Sequence, residues 1–221
     1  MNSNARFVIK PNFNNLSEYR LKYTDILTYI TIRSFYNSKD KYCYPSYEAI
    51  ATNGKISKKF VSESLKRLSK AGYINIWKIG KVRFRHCYRF KEISEYQKLP
   101  YSYLENQDLT LNEKGMLLLL SEYAIASVVS QPLSEIALCT GLTYKTIGSQ
   151  YKSLIEKGYL KESLIKEETN NTLTKIFSFT DLVKWDFKRY FDDSIESDKA
   201  SSNTESILDM AMNYLRVMKG R

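Results

Sequence analysis

The sequence predicts an α+β protein, mostly helical with small β hairpins, in which one unit of three helices and a hairpin occurs twice and a helical tail follows. Three observations predict this. Residues 50–74 match residues 136–160 at an offset of 86, with seven identities in 25 positions: Ile50/Ile136, Ala51/Ala137, Lys59/Lys145, Lys66/Lys152, Leu68/Leu154, Gly72/Gly158 and Tyr73/Tyr159. Conservative pairs fill the frame (Ile56/Leu142, Ser57/Thr143, Val61/Ile147, Ile74/Leu160), and the prolines pair approximately, Pro11 with Pro100 and Pro45 with Pro132. Within each copy, capping residues and glycines bracket runs with helical periodicity, and an alternating run follows.

In the first copy, Ile26, Leu27, Ile30 and Phe35 predict a helix over 23–36. Residues 40–45 read as a loop that includes a short strand at 42–44. Ser46 caps a second helix through Thr52, with Ile50 and Ala51 inward, and Asn53-Gly54 makes the turn. Ser57 caps a third helix through Ala71 with Val61, Leu65 and Leu68 on one face, and Gly72 supplies the left-handed residue that ends it. Strands follow at 73–77 and 82–90 around Gly80. In the second strand Val82, Phe84, His86, Tyr88 and Phe90 share a face expected to cover the helices, and Arg83, Arg85, Cys87 and Arg89 share the other.

The second copy repeats this order. Leu109, 88 positions after Leu21, opens its apolar segment. Helices are expected over 112–126, 133–138 and 144–157, the last capped by Thr143 and stopped by Gly158. Strands are expected over 159–166 and 173–180, with a tip at 167–172. A closing helix over 182–191 would pack through Leu182, Val183, Trp185 and Phe191. Residues 192–203 turn acidic and polar and read as a flexible linker. Beyond them Ile207, Met210, Ala211, Tyr214, Leu215 and Met218 recur at 3, 4, 3, 4, 3 spacing, an amphipathic helix over 204–221. That helix either folds back on this chain or its twin, or docks in the groove of a partner such as a replication or transcription component. The expected division is therefore 1–98, 99–191, 192–203 and 204–221.

Pro45-Ser46-Tyr47-Glu48-Ala49-Ile50-Ala51, Ile56-Ser57-Lys58-Lys59-Phe60-Val61, Leu65-Lys66-Arg67-Leu68 and Ala71-Gly72-Tyr73-Ile74 resemble the winged helix-turn-helix domains of bacterial plasmid and phage replication proteins and of many small regulators. Leu109-Thr110-Leu111-Asn112-Glu113-Lys114-Gly115 resembles the entry to the first helix of phage replisome organisers. The resemblance covers roughly residues 7–180 and implies two tandem winged-helix domains, each with its third helix in the major groove of double-stranded DNA.

Charge points the same way. The chain of 221 residues carries +10, and residues 1–99 hold 20 basic and 7 acidic side chains against 14 and 17 in residues 100–221. A basic first half implies a polyanionic partner, unless it is a surface kept basic for solubility. With Val61, Leu65 and Leu68 inward, the third helix presents Lys58, Lys59, Ser62, Glu63 and Lys66, beside Ser57 at its N-terminus. Phe60 either joins the core or touches a thymine methyl. Lys78, Lys81, Arg83 and Arg85 flank the hairpin tip, where they meet phosphates or stay solvated. Six such contacts would give a slope of about −5 in log affinity against log salt. The second copy offers Tyr144, Lys145, Thr146, Ser149, Gln150 and Lys152, with Gln150 reading adenine if it faces outward. Its tip holds Glu167 and Glu168, which phosphate would repel, so this copy either reads bases with few backbone contacts or serves a protein surface, including a dimer interface.

Much chemistry is excluded. His86 is the only histidine, on the apolar strand face, and reads as a core or edge residue rather than a ligand. Histidine-pair nucleases and relaxases are ruled out. Asn53-Gly54-Lys55-Ile56-Ser57 fails as a phosphate loop because Ala49 stands where the first glycine belongs and Ile56 follows Lys55. Cys43, Cys87 and Cys139 are odd in number and scattered, against a disulfide framework or zinc knuckle. No apolar run approaches a membrane span, and the N-terminus lacks a signal-like core. The expectation is a cytoplasmic, non-catalytic, cofactor-free protein that binds double-stranded DNA site-specifically, in the manner of a mobile-element replication initiator. A transcriptional regulator would use the same surface, and a protein-interaction adaptor is the rival from another class.

Overall fold

The computed structural model describes residues 6–13, 16–82, 84–129, 131–166 and 173–191. The linker over 192–203, the amphipathic helix over 204–221, the second tip over 167–172 and Arg83 lie outside the described residues. The elements run β1 (Phe7–Pro11), α1 (Asp25–Arg33), α2 (Tyr47–Gly54), α3 (Lys58–Lys70), β2 (Ile74–Ile79), β3 (Arg85–Phe90), β4 (Glu95–Pro100) and α4 (Ser102–Glu105). Then come α5 (Leu111–Leu120), a 3-10 turn at Ser121–Tyr123, β5 (Ala124–Ile125), β6 (Val128–Val129), α6 (Leu133–Thr140), α7 (Tyr144–Glu156), β7 (Leu160–Lys166), β8 (Leu173–Phe179) and β9 (Tyr190–Phe191). The class is α+β, and three helices followed by a hairpin occur twice in this order.

Local chemistry sets the helix ends. Ser46 Oγ accepts from the Ala49 amide, Ser57 Oγ from Phe60 and Thr143 Oγ1 from Thr146, at 3.1, 3.1 and 3.2 Å. Thr110 and Glu113 close a reciprocal capping box on α5. The expected turn at Asn53-Gly54 is instead the last turn of α2, and Lys55 takes the left-handed conformation at φ 52°. Gly54 is there for proximity. A Cβ on it would lie 2.9 Å from Thr31 Oγ1, so its hydrogen lets α2 close on α1.

The first helix is shorter than 23–36 and is buried on every side, including Asp25, Thr28 and Thr31. The second copy is the reason. α5 is also buried along Glu113–Leu120, and it packs on α1 so closely that a Cβ on Gly115 would meet Thr24 Cα at 3.0 Å. One apolar core therefore runs through both copies, from Ile26, Leu65 and Leu68 to Leu117, Ile147 and Leu154.

A three-stranded antiparallel sheet, ordered β1-β4-β9, joins residues 7–11 and 190–191 to 95–100, and the expected boundary at residue 98 falls inside β4. Under it Lys10 is fully buried. Its ammonium donates to Gln97 Oε1 at 2.9 Å and pairs with Glu122, whose carboxylate and backbone carbonyl also hold Arg189. Burial lowers the Lys10 pKa, against the pull of Glu122.

Three further expectations are corrected. The first helix of the second copy does not reach Ala126. It ends in the 3-10 turn, and β5–β6 turn back through Ala126 and Ser127 at φ 46° and 76°. The expected strand over 82–90 begins only at Arg85, because the register ends with Ile79 paired to Arg85 and leaves Val82 and Phe84 beyond it. Residues 182–191 form no helix. Lys184 and Phe187 take φ 54° and 53°, which breaks any helical run, while Trp185 and Phe187 join a ring cluster with Tyr103 and Phe179. Of the four residues expected to pack there, Val183 is buried, but Leu182 and Phe191 are exposed.

Candidate nucleic-acid interface

The outer face of α3 follows from its inner one. Val61, Leu65 and Leu68 are buried against α1 and α2, so Lys58, Lys59, Glu63 and Lys66 project outward, with Ser57 exposed at the cap and Ser62 half-buried beside them. Phe60 is half-buried against the core, with the Arg67 guanidinium 5.9 Å from its ring.

Two ion pairs bear on this face. Lys58 pairs with Glu48 of α2, both well exposed. Such a pair is worth about 0–1 kcal/mol and yields readily to a phosphate. Arg67 is held differently. Its Nε and Nη2 donate to Asp25 Oδ2 and Oδ1 at 2.8 and 2.7 Å, and the Lys22 amide donates to the same carboxylate at 2.8 Å. The hydrogen bond with Asp25 raises the Arg67 pKa against partial burial. Arg67 is thus a strut between α1 and α3.

The second copy repeats this strut with other residues. Glu113, 88 positions after Asp25, accepts from Ser153 Oγ at 2.5 Å and from Lys157 Nζ at 2.7 Å, and Ser153 stands 86 positions after Arg67. Burial pushes the Glu113 carboxyl up, but the bonds donated by Lys157, Ser153 and Thr110 outweigh it and hold the pKa at about 2. Sequence comparison missed both struts because the partners differ in kind; an acidic residue in the first turn of both first helices was the one available signal.

The first hairpin stands beside α3, connected to it through Gly72 at φ 77°. Lys78, Lys81 and Arg85 are exposed on it. Val82 and Phe84, expected to cover the helices, are instead 91% and 66% exposed at the tip. They lie beyond the last β2–β3 pair, past the part of the hairpin whose inward residues are buried. The inward alternation holds only for Tyr88 and Phe90, which are buried, and His86, whose ring stacks on Tyr47 at 5.2 Å.

On α7, Tyr144, Lys145, Thr146, Ser149 and Lys152 are exposed. The Thr146 hydroxyl is 3.0 Å from that of Thr143, and Lys152 lies 3.9 Å from Glu156. Gln150 departs from the outward-facing expectation. It is half-buried, and its Oε1 is sealed from solvent with no hydrogen-bond partner among the described residues. The physical reason is its place in the repeat: it follows Ser64, which is buried on the inner side of α3.

Among the described residues, no group of three or more His, Cys, Asp or Glu side chains is placed to hold a metal, and no helix is long and apolar enough to cross a membrane. The three cysteines are unpaired, and burial pushes the Cys43 thiol up to about 12.

A family model described as a helix-turn-helix domain matches residues 19–74. That stretch runs through α1, α2 and α3 to the first residue of β2. The first copy therefore carries a helix-turn-helix domain of the DNA-binding kind. No curated protein matches the chain.

Proposed function

We propose that this chain is a tandem winged-helix protein that binds double-stranded DNA site-specifically and catalyses nothing, acting as a replication initiator of a bacterial mobile element. The observation that carries the DNA-binding part is the juxtaposition of the exposed Lys58, Lys59 and Lys66 on α3 with the exposed Lys78, Lys81 and Arg85 on the adjoining hairpin. A helix enters the major groove while a neighbouring hairpin reaches the backbone or minor groove, and this arrangement supplies cations to both. Arg67 is spent on Asp25, so its role is to hold α3 at its angle rather than to touch DNA.

The second copy contributes less charge on α7, and its buried Gln150 acceptor favours a minor role in base reading. The initiator reading rests on taking the second copy as a second helix-turn-helix unit, packed on the first through α1 and α5, an arrangement suited to successive sites on one duplex. A nuclease footprint of the full-length protein on DNA flanking its gene, at physiological salt, tests this. Several protected direct repeats support an initiator, and a single protected palindrome over a promoter would make it a transcriptional regulator. Salt-sensitive smearing without protection would favour a protein adaptor and sink site-specific binding.

A further inference from the structure

The outer face of the first hairpin gathers aromatic rings and a guanidinium from two separate segments of the chain. The chain at residues 42–44 lies along β3, with the Cys43 amide donating to the Tyr88 carbonyl at 3.0 Å and the Tyr88 amide to the Cys43 carbonyl at 2.8 Å. This single bridge pins residues 42–44 against the free edge of β3. Cys43 and Tyr88 point to the core, so Tyr42 and Tyr44 point the other way, onto the face that holds Trp77, Ile79, Arg85 and Arg89. The rings form a continuous row. Tyr42 lies 5.6 Å from Trp77 and 6.3 Å from Tyr44, and the Arg89 guanidinium lies 5.5 Å from the Trp77 ring. Tyr44 is 52% exposed and Ile79 41%. Residues 42–44, β2 and β3 hold no acidic residue.

We propose that this face binds single-stranded DNA, with unpaired bases stacking on Tyr42, Tyr44 and Trp77 while Arg89 and Arg85 meet the backbone. A row of rings on a sheet has little to offer a duplex, whose bases already stack on one another. Unpaired bases present free π-faces, and the flanking guanidiniums match the strand's phosphates in charge. The site shares Arg85 with the proposed duplex surface, but its rings and Arg89 are separate from the outer face of α3, so loss of ring stacking and loss of duplex binding are distinguishable.

The test uses full-length protein carrying Trp185→Phe, so that Trp77 is the only indole. Among the described residues the buried Trp185 Nε1 has no hydrogen-bond partner, which favours tolerance of that change. Titration with oligothymidylate of about 15 nucleotides should quench Trp77 emission as bases stack on it. By polarisation of a labelled oligonucleotide, Tyr44→Ala and Trp77→Ala should each weaken binding about tenfold to a hundredfold, and Trp77→Phe should restore most of it. The salt slope should be shallow, about −1.4 for two phosphate contacts on a single strand. Lys59→Ala with Lys66→Ala should leave oligothymidylate affinity in place while weakening duplex binding. The absence of Trp77 quenching would overturn the proposal. So would an oligonucleotide affinity that falls with Lys59 and Lys66 but ignores Tyr44. Failure of duplex binding alone would leave it standing.

Discussion

Replacing Arg67 with methionine would strand the Asp25 carboxylate at the centre of the molecule. Asp25 is wholly buried and Arg67 one-fifth exposed, and the pair shares two short parallel hydrogen bonds. Removing one partner of a buried pair costs about 3–5 kcal/mol, because the remaining charge is left desolvated. The Lys22 amide would still donate to Asp25, and Arg67 is not fully buried, so the loss belongs at the lower end, about 3 kcal/mol. For a chain of this size that is a fall in Tm of about 6–12 °C. Urea denaturation followed by circular dichroism measures it. The double variant Asp25→Asn with Arg67→Met should be more stable than Arg67→Met alone, since it removes the uncompensated charge. An Arg67→Met protein within about 0.5 kcal/mol of the parent would refute the reasoning. A double variant no better than the single one would show that the cost lies in lost packing of the arginine stem.

Gly115→Ala should destabilise the protein by about 1–3 kcal/mol in the same assay, because its methyl would press on the Thr24 backbone. Gly148→Ala, inside α7 with nothing among the described residues within 4 Å of the new methyl, should stabilise by up to about 1 kcal/mol. Glu113 has a folded pKa of about 2 against an ordinary 4.5, so its contribution is fully present above pH 4.5 and is lost as pH falls toward 2. It amounts to at most about 3 kcal/mol, and acid unfolding of the parent should be steeper over that window than that of Glu113→Gln. Lys59→Ala and Lys66→Ala should each weaken duplex binding and lower the magnitude of the salt slope by about 0.9, read from binding curves at several salt concentrations.

The caps and the repeat were legible in the sequence because they depend on nearest neighbours. A serine or threonine hydroxyl reaches an amide three residues on, as Ser46, Ser57 and Thr143 do, whatever surrounds the helix. The inward positions Val61, Leu65 and Leu68 were legible for the same reason, and they fixed which side of α3 would carry Lys58, Lys59 and Lys66. The tip of the first hairpin was misread because alternation marks a strand but not where its partner stops. Val82 and Phe84 continue the pattern past the last pair with Arg85 and so face solvent. Residues 182–191 were misread because apolar spacing alone does not reveal left-handed conformations at Lys184 and Phe187.

Interactions within a few residues set the order of three helices and a closing hairpin in each copy, several of their ends, and the basic character of the first copy, but not the β5–β6 hairpin between α5 and α6. Tertiary structure decided the rest. It buried α1 and α5 on every side by packing them together, joined β1, β4 and β9 from three distant segments, and placed Tyr42 and Tyr44 beside Trp77. It also chose Arg67 and Lys157 as the partners of two buried carboxylates. Each of these depends on where a remote surface comes to rest. A buried charge or a close-packed glycine is tolerable only once that surface is in place.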